Sequence, residues 1–313
     1  MSSARRGDAI FAGLTRSAGI ALLVILVAIA AFLLWQAYPA FGKDHSSFWT
    51  TKQWDPEGTH KYGIAALAYG TIVSSLLALV MAVPVALGVA VYITEYAPRR
   101  LSHGLGYITD MLAAIPSVVY GLWGQFFLVP HLVGIQTALN SWLGWIPLFG
   151  GDSSQLNVGA GSIFASSIVL AIMILPIVAA ISREVLRQVD PVQKEAALAL
   201  GATKFEVIRT AVLPPSRSGI VGAIMLGLGR ALGETIAVAL VLSTSYVISP
   251  HLLQAGGNTI AANIALQFLE AGETGRSALI ASGLMLFVIT LIVNLGARFV
   301  IYRAGKVERA ALV

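Results

Sequence analysis

No cysteine occurs among the 313 residues, and only 11% of them are charged. The first absence excludes a disulfide, a thiolate metal site and a cysteine nucleophile, and leaves the redox compartment open. The second excludes an ordinary water-exposed domain, in which about 25% of residues carry charge. Also missing is any G-x-x-x-x-G-K-[ST] segment: Gly42-Lys43 and Gly305-Lys306 lack the required flanks, so these residues hold no P-loop for ATP. His45, His60, His131 and His251 show no metal-ligand spacing, and neither a metal nor another cofactor is expected. No repeat, low-complexity tract or second soluble domain is visible, so residues 1–313 read as a single transmembrane domain.

What is present in excess is apolar surface, with 57% hydrophobic residues and a mean hydropathy of +0.81. Several nearly uncharged runs reach 18 or more residues, which places the chain among polytopic helical membrane proteins and against a secreted enzyme, a nucleic-acid binder or a disordered scaffold. In hydrocarbon only a helix satisfies every backbone N–H and C=O of such a run. The expected class is therefore all-α, with six spans at about 17–37, 64–93, 105–130, 162–182, 219–243 and 278–301. Ala18 to Trp35 exceeds a signal-peptide h-region, and Ala37-Tyr38-Pro39-Ala40 is a poor cleavage site, so the first run reads as a span.

Sidedness follows from the cations, because positively charged loops stay inside. Fifteen of the 20 Lys and Arg residues flank spans on one side, six of them between spans four and five; Lys43, Lys52, Lys61 and Arg276 fall on the other, and Arg230 lies within a span. Both termini are thus expected in the cytoplasm, and the pI near 9.6 is mostly an orientation signal rather than a nucleic-acid footprint. Trp49, Trp54, Trp142 and Trp145 fall in outer loops, where indoles suit the headgroup boundary, and 131–150 reads as interfacial or re-entrant because glycine and proline interrupt it.

Arg183 to Arg217 is the one long cytoplasmic loop. Asp190 followed by Pro191 is a good helix start, with a side-chain acceptor for free N–H groups and a residue that needs none. Val192, Ala196, Ala199 and Leu200 then share a stripe, Gly201 stops the helix in left-handed geometry, and a second helix from Thr203 to Val212 is expected to close at Pro214-Pro215. An ordinary loop joining two spans is one reading of this elbow; a docking face for another protein is the other.

Span five carries Arg230 and Glu234. A central arginine costs about 2.5–3.5 kcal/mol on insertion scales, so it should face protein or water. Four residues apart, the two side chains are expected on one helix face, as a structural ion pair or along a solute path. A guanidinium suits an oxyanion. Glu234 would keep that anion from binding too tightly, by competing for Arg230 or by accepting a proton from a protonated oxyanion; at neutral pH phosphate carries such a proton and sulfate does not. Pro116 in span three should kink the helix and free the Leu112 carbonyl beside the Ser117 hydroxyl. Gly229 and Gly233 read as a close-packing face.

Glu195-Ala196-Ala197, then Gly201, then Leu213-Pro214 resembles the EAA motif of ABC importer permeases, with Ala211 standing where the motif has isoleucine. GLGRALGET from Gly227 to Thr235, Ile115 to Gly121, and EAALALGAT from Glu195 resemble, more narrowly, the PstC-type permeases of bacterial phosphate importers, from about Tyr69 to the C-terminus. The resemblance implies the type I importer permease fold in the bacterial cytoplasmic membrane, and no enzyme activity of the chain's own. It implies a homologous second permease (PstA-like), two ATP-binding subunits (PstB-like), and an extracytoplasmic phosphate-binding protein (PstS-like) at the outer loops. Glu195, Ala196, Ala197 and Gly201 would form the coupling helix that docks on an ATPase, and Arg230, Glu234 and Ser117 would serve phosphate passage. Residues 39–63 and 131–160 lie outside the likeness. Another oxyanion such as sulfate or molybdate, an ATP-independent carrier, and a scaffold informing a phosphate-sensing kinase remain the alternatives.

Overall fold

The computed structural model describes residues 2–43, 47–150 and 161–310. Twelve α-helices run through them: α1 (Ser2–Lys43), α2 (Ala65–Val91), α3 (Arg99–Ala113), α4 (Ser117–Trp123), α5 (Val129–Leu143), α6 (Ile163–Arg187), α7 (Pro191–Ala199), α8 (Lys204–Val207), α9 (Leu213–Gly233), α10 (Ile236–Val241), α11 (Ile260–Gln267) and α12 (Glu273–Ala310). One antiparallel hairpin, β1 (Trp54–Asp55) with β2 (Lys61–Tyr62), lies between α1 and α2. Among the described residues, six helical stretches are long and apolar enough to cross a bilayer: Ile10–Gly42, Ala65–Tyr96, Ser117–Leu143, Ile163–Arg187, Lys204–Gly233 and Glu273–Gly296.

The bundle is centred on α6, whose buried face runs from Ile163 to Leu186. Against it α2 turns Ala78, Ala82, Ala86 and Ala90, buried and each four apart, the inner part of a run of small residues that begins at Ala66; Gly70 of that run lies against the Asn258 carbonyl. That spacing keeps one helix face free of bulk, so the backbones approach closely without needing a hydrophobic drive that lipid cannot supply. On the other side α9 meets α6 through Gly219 and Gly227, where a Cβ would stand 2.5 Å from Val185 and 2.7 Å from Val178. Gly222, Gly229 and Gly233 have open space instead, so the glycines at which the helices of this chain pack are Gly219 and Gly227. Helix α1 packs along α12 and otherwise presents Leu22, Leu23, Val24 and Ile25 outward, as a lipid-facing helix should.

Two spans depart from their expected limits. At Ala114–Pro116 the chain leaves helix altogether, so 105–130 is not one span: α3 is a separate amphipathic helix, with Arg99, Arg100, His103 and Asp110 among its polar groups, and the crossing runs through α4, a π-turn at Gly124–Leu128 and α5. Pro116 disfavours helical geometry in the residue before it, and the segment from 131, expected to be re-entrant, completes the span up to Leu143. Residues 151–160 of that loop lie outside the described residues. In the fifth span, Pro214-Pro215 do not stop the helix. They directly follow a π-turn at Ile208–Val212, where the regular i to i−4 bonding pattern is already interrupted, and helix runs from Lys204 through that turn to Gly233. It then breaks at Glu234–Thr235 before the short α10, so 219–243 is not continuous either.

Trp49, Trp142 and Trp145 are exposed, but Trp54 is buried with Tyr62 and Leu279 rather than standing at the boundary. Its indole N–H donates to Gln267 Oε1 and its ring stacks on Tyr246, which ties the hairpin to α11.

Candidate functional site

Between α6 and α9 the chain folds into the expected elbow. Asp190 accepts from the Val192 N–H at 2.9 Å, and Pro191 occupies the first helical position. At the far end Gly201 has φ +85°, its N–H bonds the Leu198 carbonyl at 2.9 Å, and the Ala202 N–H bonds the Ala197 carbonyl at 3.1 Å. This pair of bonds is the Schellman termination, which requires a left-handed residue, and Ala197 and Ala202 on either side of it pack against the same apolar cluster. Thr203 then opens α8 with a capping box to Glu206. Of the four EAA residues, Ala197 alone turns inward; Glu195, Ala196 and Gly201 are exposed. No residue of α7 is buried, and Leu200 at 89% and Phe205 at 64% relative exposure project large apolar side chains from the elbow.

Sequence reasoning missed what holds this elbow. Lys194 Nζ donates to Glu95 Oε1 at 2.6 Å, and the Lys204 ammonium sits 5.2 Å from the centre of the Tyr96 ring. Both partners belong to the π-turn at Tyr92–Tyr96 that ends the second span. A helix on each side of Gly201 is thereby fastened to the same span end. Two basic residues flanking the glycine turn and an acid–aromatic pair ending an apolar run were the available signal.

Next to this collar, Arg183 Nη2 donates to both carboxylate oxygens of Asp110, at 2.9 and 3.0 Å. The arginine is 8% exposed and lies over Gly106, where a Cβ would come within 2.6 Å of Nη1. Asp110 is thus half of an interhelical tie between α3 and α6. Nε and Nη1 of Arg183 have no hydrogen-bond partner among the described residues.

Arg230 is placed differently. It lies in the last turn of α9, exposed, with no hydrogen bond or ion pair to any described residue. Glu234 does not pair with it: the helix ends at Gly233, Glu234 adopts extended backbone, and its carboxylate accepts the Ala237 N–H at 3.2 Å to cap α10. The four-residue spacing puts side chains on one face only where helix is continuous, and the break removes that condition. Arg230 opens onto a groove of about 1160 Å³ floored by Gly222 and Gly229 and walled by α12. The Tyr120 hydroxyl donates to the Leu112 carbonyl at 3.0 Å, so the acceptor expected to be free beside Ser117 is occupied. Ser117, in the first turn of α4, is half-buried and does not line the groove.

Six apolar crossings, a glycine-turned elbow exposed between the fourth and fifth, and an unpaired cation in a groove describe the membrane subunit of an ABC importer. Residues 82–305 match the family described as binding-protein-dependent transport system inner membrane component, and the chain belongs to it. It is 48% identical over 98% of its length, and 95% of the relative's, to the phosphate transport system permease protein PstC 2 of Mycobacterium tuberculosis. It is 43% identical, over 97% of its length and 93% of the relative's, to the phosphate transport system permease protein PstC of Xylella fastidiosa. Among solved structures, the chain is similar in fold to a bacterial ABC transporter that imports the acidic polysaccharide alginate, with TM-score 0.56 at 17% identity, covering 94% of this chain and 98% of that one. An inward-facing MetNI methionine ABC transporter gives TM-score 0.51 at 16% identity, covering 75% and 90%. The chain is a multi-pass transport component rather than an enzyme, and it works within an assembly whose ATPase is a separate subunit.

Proposed function

We propose that this chain is the permease subunit of an ATP-driven importer of inorganic phosphate, and that phosphate passes Arg230. The observation that carries the reading is a guanidinium in an apolar span, facing an open groove with no carboxylate on it. Keeping a permanent charge there costs free energy that an anion in transit offsets. Near-full-length relatives named phosphate transport permeases support the choice of oxyanion.

In this proposal a homologous permease completes the pore, two ATP-binding subunits receive the elbow, an extracytoplasmic phosphate-binding protein delivers solute to the outer loops, and both termini are cytoplasmic. Closure of the ATPases on ATP pushes Glu195, Ala196, Ala197 and Gly201. The push reaches the second span through Lys194–Glu95 and Lys204–Tyr96, and the fifth span directly through α8, since helix runs unbroken from the elbow to Arg230. Glu234, held at the helix break, competes for Arg230 when the break closes and limits how long the anion stays. Ser117, outside this groove, would serve passage only from the start of α4.

The test is uptake of labelled phosphate and labelled sulfate in a strain lacking this chain, with and without the restored gene. Phosphate uptake should return and sulfate uptake should not change. Restored sulfate or molybdate uptake would assign the other oxyanion, and uptake that survives without the ATPase subunit would make the chain a carrier.

A further inference from the structure

The groove at Arg230 holds more charge than the proposed site needs. α12 sends Leu291, Asn294, Leu295 and Arg298 into it, while α3 and α6 close it with Ala113 and Ile177. Asn294 and Arg298 are one helical turn apart and so share a face. The groove therefore contains two guanidinium groups and a carboxamide, with no acidic residue on its wall. Arg298, like Arg230, is exposed and makes no hydrogen bond or ion pair with any described residue.

Position along the groove follows from helix geometry. α9 leads away from the elbow, and its lining residues Gly222 and Arg230 are eight apart, about 12 Å at 1.5 Å per residue. α12 returns across the bundle, so Arg298 lies toward the elbow side and Asn294 between the two cations. Gly222 and Gly229 carry no side chain to obstruct the floor; a Cβ at either would meet nothing within 4 Å. The result is a track with a charge at each end and two amide N–H donors in the middle. Two like charges sharing one groove repel each other, and an oxyanion on the track offsets that cost at whichever end it occupies. A cation that only marked the inner side of the membrane would not need to face the same groove as Arg230.

We propose that Asn294 and Arg298 form a second oxyanion station, which takes phosphate from Arg230 and passes it toward the cytoplasm. This rests on the permease reading above and adds residues from a different helix. An anion held by one guanidinium must break that contact before it moves; a second site within reach lets the new contacts form as the old ones are lost.

The complete importer, reconstituted in vesicles with its binding protein and labelled phosphate, provides the test. Arg298→Gln should lower the maximal import rate about tenfold, with the half-saturating phosphate concentration unchanged because the binding protein sets it. Arg298→Lys should recover at least half the rate, and Asn294→Asp, a near-isosteric change that puts a negative charge on the track, should fall below Arg298→Gln. Arg230→Gln serves as the reference. If it imports phosphate normally, the permease path itself is misplaced; if it is inactive while Arg298→Gln and Asn294→Asp both run at the wild-type rate, the inner station alone is refuted. A loss of assembled complex in Arg298→Gln matching its loss of rate, without rescue by lysine, would make the residue a packing element and also overturn the proposal.

Discussion

Arg183 and Arg230 are both arginines in helices of one bundle, and the structure treats them in opposite ways. Arg183 is buried, lies over a glycine cut to its shape, and gives one amino group to both oxygens of Asp110. Arg230 has no such partner and faces an open groove. The difference separates a charge used to fix two helices from a charge left available for something that is not part of the chain. The elbow falls with the first kind: Lys194–Glu95 and Lys204–Tyr96 hold it to the second span, while its outer face carries exposed apolar residues.

The largest expected effect breaks the comparison if it fails. Arg230→Gln should leave the assembled complex at wild-type abundance and reduce phosphate uptake roughly 100-fold, the equivalent of about 3 kcal/mol for hydrogen bonds to a charged solute. Copurification measured beside uptake separates the two; a lost complex would put Arg230 in the same category as Arg183.

A second experiment sharpens the account of the elbow. Open space surrounds Gly201 where a Cβ would stand, so the chain itself has room for bulk, and a non-glycine residue at φ +85° costs only about 1–2 kcal/mol. Gly201→Trp should therefore cut ATP-coupled uptake at least tenfold, whereas Gly201→Asn, which tolerates left-handed geometry, should stay within about threefold of wild type. Equal losses in both would mean that the backbone, not the docking face, is what matters.

Asp110→Asn probes the paired arginine. It leaves a buried guanidinium without its counter-charge, at a cost of order 2 kcal/mol because Asp110 itself is 53% exposed. The expected outcome is a complex several-fold less abundant, with normal uptake per molecule, measured by membrane quantification and transport in the same preparation. A lower rate at unchanged abundance would give Arg183 a role in transport.

The smallest effect concerns the collar. Glu95→Lys or Lys194→Glu alone should reduce the phosphate imported per ATP hydrolysed about three- to fivefold, and the double reversal should recover most of it, consistent with about 1 kcal/mol for a partly exposed pair. Without recovery in the double variant, the contact transmits nothing.

Much of this was legible before any fold was known. Asp190, Pro191, Gly201 and Thr203 act on their immediate neighbours through caps and a left-handed turn, and local chemistry of that kind can be read from order alone. The breaks were harder. Pro116 was visible, but its place in the sequence did not say whether it would bend a helix or end it; in the fold the helix ends, and the Leu112 carbonyl takes the Tyr120 hydroxyl. Glu234 carried no local warning that α9 would stop before it, and so its pairing with Arg230 looked sound. Asp110 and Arg183 are 73 residues apart, and Arg298 is remote from Arg230 along the chain, so no spacing rule connects them.

By itself the order of residues determined that this chain lives in lipid, how many times it crosses, and where an elbow of small residues leaves the membrane. Those outcomes follow from transfer free energies and short-range backbone chemistry, which each segment carries with it. Tertiary structure alone decided which arginine is neutralised and which stays open. The energy of a charge in a low-dielectric medium depends on whatever stands within a few ångströms, and here those neighbours come from other helices.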